Sequence, residues 1–140
     1  MSEASELLKR AQDLHSEGRI AEALETARQA LEAQADYVAA WMYYGTTLIT
    51  RRLVFPEGLE ALERAFELAP EDPGVAYSMG WCYEFVAYRL QKQATTPYRD
   101  PIELYRLAAD RLRHCIALDP EQGLKDDAQD LLDSIEPKIE

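Results

Sequence analysis

Cysteine is almost absent: Cys82 and Cys115 are the two thiols in 140 residues. Two thiols so far apart build no disulfide framework, and neither stands at a metal-ligand spacing. Basic residues are also short, 15 against 26 acidic ones, for a net charge of −11 and a pI near 4.6. Phosphate binding takes clustered Lys and Arg, so the chain as a whole is expected to bind no nucleic acid and to avoid anionic membranes. No apolar run nears the ~20 residues of a membrane span, which excludes membrane insertion by a helix. A basic-then-apolar leader is missing too, so a cytoplasmic protein is the expectation. There is no glycine-rich phosphate loop, no nucleophile elbow and no metal-ligand helix motif. The chain therefore reads as no enzyme, with no cofactor and no metal.

What is present points to helices. Leu, Ile, Val and Phe number 31, and twenty alanines accompany them. Alanine has the best helix propensity and lets helices approach closely. At ~150 residues per domain the length fits one domain, 1–140. No strand alternation is found, and the apolar residues recur at helical spacing.

The chain also repeats. Ala11, Gly45 and Gly80 each precede a bulky apolar residue by three positions, namely Leu14, Leu48 and Tyr83. Ala30-Leu31, Ala65-Phe66 and Cys115-Ile116 form a second landmark, and Leu68-Ala69-Pro70 and Leu118-Asp119-Pro120 close two copies in like phrases. The spacing sets three copies, about 4–37, 38–72 and 73–120, the last with an insert of roughly sixteen residues. Each copy is expected to hold two helices. Gly18 turns the first pair, Arg51 to Phe55 breaks the second, and Asp72-Pro73 and Asp100-Pro101 cap the third, with Glu103 placed for a capping box. A final amphipathic helix, about 121–136, carries Leu124, Ala128, Leu131, Leu132 and Ile135 and is expected to stop at Pro137. The count is seven.

Trp41, Tyr44, Gly45, Leu48, Leu59, Leu62, Ala65 and Pro70 resemble the 34-residue signature of the tetratricopeptide repeat family. Met79, Gly80, Tyr83, Ala108, Leu112, Cys115 and Pro120 follow it in the third copy. The first copy matches with Leu7, Ala11, Leu14, Gly18, Ala23, Ala27 and Ala30, but lacks the aromatic and the closing proline. The resemblance implies an all-α fold, a right-handed superhelical stack of antiparallel helix pairs with the seventh helix as a cap. It also implies that the first helices of the copies line a concave groove that receives a peptide or helix of a partner protein. Gly58 departs from the pattern, standing where the family usually has alanine, and reads as a mild helix weakness. Trp41 matches the family's structural tryptophan, wedged between helices.

Spacing assigns the groove. The first copy offers Leu8, Gln12 and His15. The second offers Met42, Tyr43, Thr46 and Ile49. The third offers Tyr77, Ser78, Trp81, Glu84, Phe85 and Tyr88 along one helix face. This stripe reads two ways, as anchors for a partner or as packing for the groove's own wall. Family members that grip a C-terminal carboxylate use Lys, Asn and Arg where this chain has Leu8, Gln12, Tyr43, Gly74 and Ser78, so that clamp is missing.

The insert, Val86 to Arg99, holds Arg89, Lys92 and Arg99 and no acid. It is expected as a lengthened hairpin with its tip at Gln93 to Asp100, offering a charged contact to an acidic surface. Residues 119–140, with eight acids and two bases, are one such surface on a second copy. His15 and His114 read as plain surface residues, and the cysteines as small buried apolar groups. The functional expectation is a non-catalytic adaptor that binds a protein or peptide. A self-assembling homo-oligomeric module and a secretion-type chaperone with an apolar groove are the alternatives.

Overall fold

Ser2 opens the first helix, its hydroxyl accepting from the Ser5 amide at 3.1 Å, and Glu3 and Glu6 meet the positive end of the helix dipole. In the computed structural model, which describes residues 2–140, helix formation continues almost without interruption. Seven helices and no strand are found among the described residues: α1 (Glu3–Ser16), α2 (Ile20–Ala33), α3 (Val38–Arg52), α4 (Phe55–Leu68), α5 (Pro73–Lys92), α6 (Pro101–Ala117) and α7 (Gln122–Ile139). No helix among them is long and apolar enough to cross a membrane. The chain forms two compact units, Met1–Leu68 and Ala69–Glu140.

In the first unit α1 pairs with α2, α3 pairs with α4, and α2 also packs on α3. Gly18 makes the first turn at a φ of +80°, a left-handed conformation that glycine adopts at no steric cost. Ala11, Ala23, Ala27 and Ala30 are fully buried between helices, where a larger side chain would force them apart. The break before α4 is shorter than expected. Helix α3 runs through Arg52, only Leu53 and Val54 intervene, and α4 begins at Phe55 rather than after Pro56. Leu53 reverses the chain in a left-handed conformation, φ 56°, unusual for a leucine. Both residues of this turn expose apolar side chains.

Gly58 is not a weakness. A Cβ there would stand 2.5 Å from Ile49 Cγ1 and 3.0 Å from the Gly45 carbonyl oxygen. A Cβ at Gly45 would meet the Gly58 carbonyl oxygen at 2.8 Å and Leu62 Cγ at 2.9 Å. Helices α3 and α4 therefore touch backbone to backbone, and each glycine is required by the other's helix.

In the second unit α5 and α6 form the longest hairpin and α7 lies against both. Asp72 caps α5 through Gly74 and Val75 amides at 2.9 and 3.4 Å, and Asp100 caps α6 through the Ile102 amide at 3.0 Å. The capping box is not completed. Glu103 instead takes Arg99 at 2.8 Å, because the guanidinium offers a charged donor that the backbone amide does not. Gly80 sits where a Cβ would come 2.6 Å from Leu112 Cγ, so α5 and α6 also cross closely. Leu104, Tyr105, Leu112, Cys115 and Ile135 are fully buried in this core. Pro137 does not stop α7, which continues to Ile139. At that position proline costs one hydrogen bond in the last turn, where the helix is already ending.

Candidate functional site

On α5, residues four apart stand one above another, and the sequence places two such files side by side. The first is Trp81, Phe85 and Arg89. The Trp81 and Phe85 rings stack with centroids 5.5 Å apart and planes 18° from parallel, and the Arg89 guanidinium lies 5.1 Å over the Phe85 ring. The second file is Glu84, Tyr88 and Lys92. Lys92 Nζ stands 5.4 Å from the Tyr88 ring. From α7, Lys138 reaches the same face, 5.8 Å from the Tyr88 ring, 5.1 Å from the Tyr105 ring and 3.9 Å from Glu84.

Exposure marks this face out. Trp81 is 39% exposed and Tyr88 47%, while their neighbours Cys82, Tyr83, Val86 and Ala87 are buried. Phe85, Glu84, Tyr77 and Ser78 are half-buried along the same helix. Burial holds the Tyr77 hydroxyl above its ordinary pKa, so the residue presents a neutral phenol. Arg89 and Lys92 are exposed, and no carboxylate pairs with either among the described residues. Arg99 is different: its ion pair with Glu103 occupies it, so the insert offers two uncommitted cations rather than three.

The site residues expected in the first unit divide. Ile49 is fully buried, held under Gly58, and Leu8 is buried with Ala30, Leu31 and Ala40, so neither lines a surface. Helical spacing puts Ile49 in line with Met42 and Thr46, but the close approach of Gly58 encloses it in the core. Met42, Tyr43 and Thr46 are half-buried and Gln12 is exposed. The Thr46 hydroxyl bonds the Met42 carbonyl at 2.8 Å and is directed back along its own helix. Trp41 is partly buried against Leu8, Ala30, Leu31 and Ala40, and its indole N–H donates to the Ala35 carbonyl at 2.8 Å.

Neither histidine is a plain surface residue. His15 Nε2 lies 3.2 Å from Arg51 Nη1, and a guanidinium can only donate. Nε2 is then the acceptor, and Nδ1–H donates to the Tyr43 hydroxyl at 2.8 Å, linking α1 to α3. His114 Nε2 contacts the Pro70 carbonyl at 2.6 Å and ties α6 to the segment before α5. Sequence spacing gave no signal for these contacts, which join residues 28, 36 and 44 positions apart. Both thiols are buried and free, and burial pushes Cys82 up to about 12. No group of three or more His, Cys, Asp or Glu that could hold a metal is found among the described residues.

No family model and no curated protein matches this chain. Among solved structures it is similar to a chain of human IFIT1, a dimer with m7Gppp-AAAA, at a TM-score of 0.70 and 18% identity. The likeness covers 95% of this chain and 28% of that one, so the present chain spans under a third of the other's length. Identity this low speaks for fold alone. Together with seven helices and no strand among the described residues, the likeness defines an all-α helical repeat of the solenoid class, compatible with a tetratricopeptide-like repeat.

Proposed function

We propose that the chain is a non-catalytic protein-binding module and that the exposed face of α5 takes a segment of a partner protein. One observation carries this reading. Trp81 and Phe85 stack in the open on a helix whose opposite side is fully packed. Large rings left at a surface, with few rotamers to lose, are the residues that dominate interface energies. Folding of the second unit gains little from Trp81, so the indole has contact area to offer a partner. The first unit presents a separate, weaker candidate in Gln12, Met42 and Tyr43, half of it tied up by the bond between His15 and Tyr43.

A second reading has one observation in its favour. Stacked aromatics beside Arg and Lys also make platforms for nucleic-acid bases, and the IFIT1 structure contains m7Gppp-AAAA. The geometry here favours protein. Trp81 and Arg89 stand one turn to either side of Phe85 and cover that ring, which leaves the 39% exposed Trp81 as the main open aromatic surface of its file. A strand of several nucleotides needs a row of free faces and a basic track, and the chain carries −11.

Photo-crosslinking tests the proposal. A photoreactive phenylalanine analogue replaces Trp81 in the native cell, with the same group at exposed Arg106 on α6 as control. One discrete protein adduct from position 81 and none from 106 is the expected result. Adducts of equal yield at both positions, or RNA as the main adduct, overturn the assignment.

A further inference from the structure

Arg89 and Lys92 belong to the same surface as the aromatic rings, and this juxtaposition specifies the partner's chemistry. Each cation rests over a ring of its own file, 5.1 Å from Phe85 and 5.4 Å from Tyr88. Such contacts hold the long side chains in place, while their polar heads stay open to solvent. Glu84 on this helix is matched by Lys138 at 3.9 Å, and Asp127 of α7 acts on Tyr77, at the N-terminal end of the face and three turns from Arg89, so neither acid compensates the two cations. Resting on that protein-binding reading, we infer that α5 selects an acidic peptide with an apolar anchor: the anchor packs on the exposed part of the Trp81 ring, and carboxylates pair with Arg89 and Lys92.

The spacing follows from the helix. Trp81 and Arg89 are eight residues apart, which at 1.5 Å per residue is about 12 Å. An extended peptide advances about 3.3 Å per residue, so its first carboxylate lies about four residues from the anchor. Lys92 is one turn on, and a second acid next to the first reaches it. The overall charge of −11 does not abolish this preference. At physiological salt the screening length is about 8 Å, so the cations in contact outweigh acids elsewhere on the surface.

The test uses the full chain and labelled synthetic peptides in fluorescence anisotropy. The probe has a central leucine with two glutamates about four residues away on each side, so that either chain direction is served. Its controls replace every glutamate by glutamine, or the leucine by serine. The expected result is binding of the acidic probe, at least tenfold weaker for each control. Arg89→Glu with Lys92→Glu, both exposed and checked by thermal melting, weakens the acidic probe at least tenfold and leaves the glutamine control unchanged. Trp81→Ala removes both. Equal binding of the glutamine peptide overturns the acidic selection while leaving the face as a protein site. No peptide binding, together with tighter binding of an oligoadenylate of like length, overturns both readings in favour of nucleic acid. A concentration-dependent dimer in light scattering, lost in Trp81→Ala, overturns the peptide assignment by putting a second copy on the face.

Discussion

Gly45 and Gly58 face each other across α3 and α4 so closely that a Cβ on Gly45 would lie 2.8 Å from the Gly58 carbonyl oxygen. Helix propensity alone predicts that Gly58→Ala stabilises by about 1 kcal/mol. Packing reverses the sign, because the new methyl meets Ile49 Cγ1 at 2.5 Å in a fully buried, β-branched side chain that cannot swing away. A net loss of about 1–3 kcal/mol is expected in urea unfolding. The loss should shrink in an Ile49→Ala background, where the methyl has room. A stabilised Gly58→Ala would mean that the two helices are not in backbone contact.

The cysteines offer a second check. Cys82 and Cys115 are buried, and burial raises both thiols, Cys82 to about 12. Desolvation penalises the thiolate, so at pH 8 almost none of the nucleophilic form of Cys82 exists in the native state, and that of Cys115 is reduced. Reaction of native protein with a disulfide reagent is expected to be slow and limited by opening of the second unit. In denaturant both thiols should react at once. Fast native labelling of either thiol would place it at the surface.

Much of this architecture was legible in the chain. The 3.6-residue recurrence of Ala11, Leu14, Ala23 and Ala27 marks buried faces because one side of a helix meets the core whatever its neighbour is. Asp72 and Asp100 announce α5 and α6 by cap chemistry that is local to four residues. The differences fall where a contact with another helix or a competing charged partner decides. Gly58 reads as a defect until Ile49 is seen above it, and Glu103 reads as a capping residue until Arg99 competes for it. On the candidate face, spacing placed Trp81, Phe85 and Tyr88 on one side of α5. Spacing alone does not join them to Arg89 and Lys92, which read as part of the charged insert. The i, i+4 relation of Phe85 to Arg89 and of Tyr88 to Lys92 is the signal in the sequence for that pairing.

Removing α7 tests what that helix covers. Ala128, Leu132 and Ile135 are buried against the hairpin of α5 and α6, and burial of Leu132 and Ile135 is worth about 1.5–3 kcal/mol each. Deletion from Asp119 onward also strips Lys138 from Glu84 and Tyr88. The shortened chain is expected to aggregate or to melt well below the full chain in circular dichroism. An unchanged melting curve would show that the hairpin needs no cover on that side.

The two tryptophans divide the labour between folding and binding. Trp41 packs against the core of the first unit and donates its indole N–H to Ala35. Trp41→Ala forfeits that packing and leaves a backbone carbonyl to find water. Because Trp41 is only partly buried, the expected cost is about 2–3 kcal/mol, below the ~3–5 kcal/mol of a fully enclosed tryptophan. Trp81 is 39% exposed and loses mainly its stack on Phe85, worth about 0.5–1.5 kcal/mol. Chemical denaturation of the two alanine variants should therefore order them with Trp41→Ala clearly the less stable. Anisotropy with the acidic peptide should order them the other way, Trp81→Ala losing binding and Trp41→Ala keeping it under conditions where it is folded. Equal destabilisation by both substitutions would make Trp81 a folding residue and deprive the α5 face of its anchor.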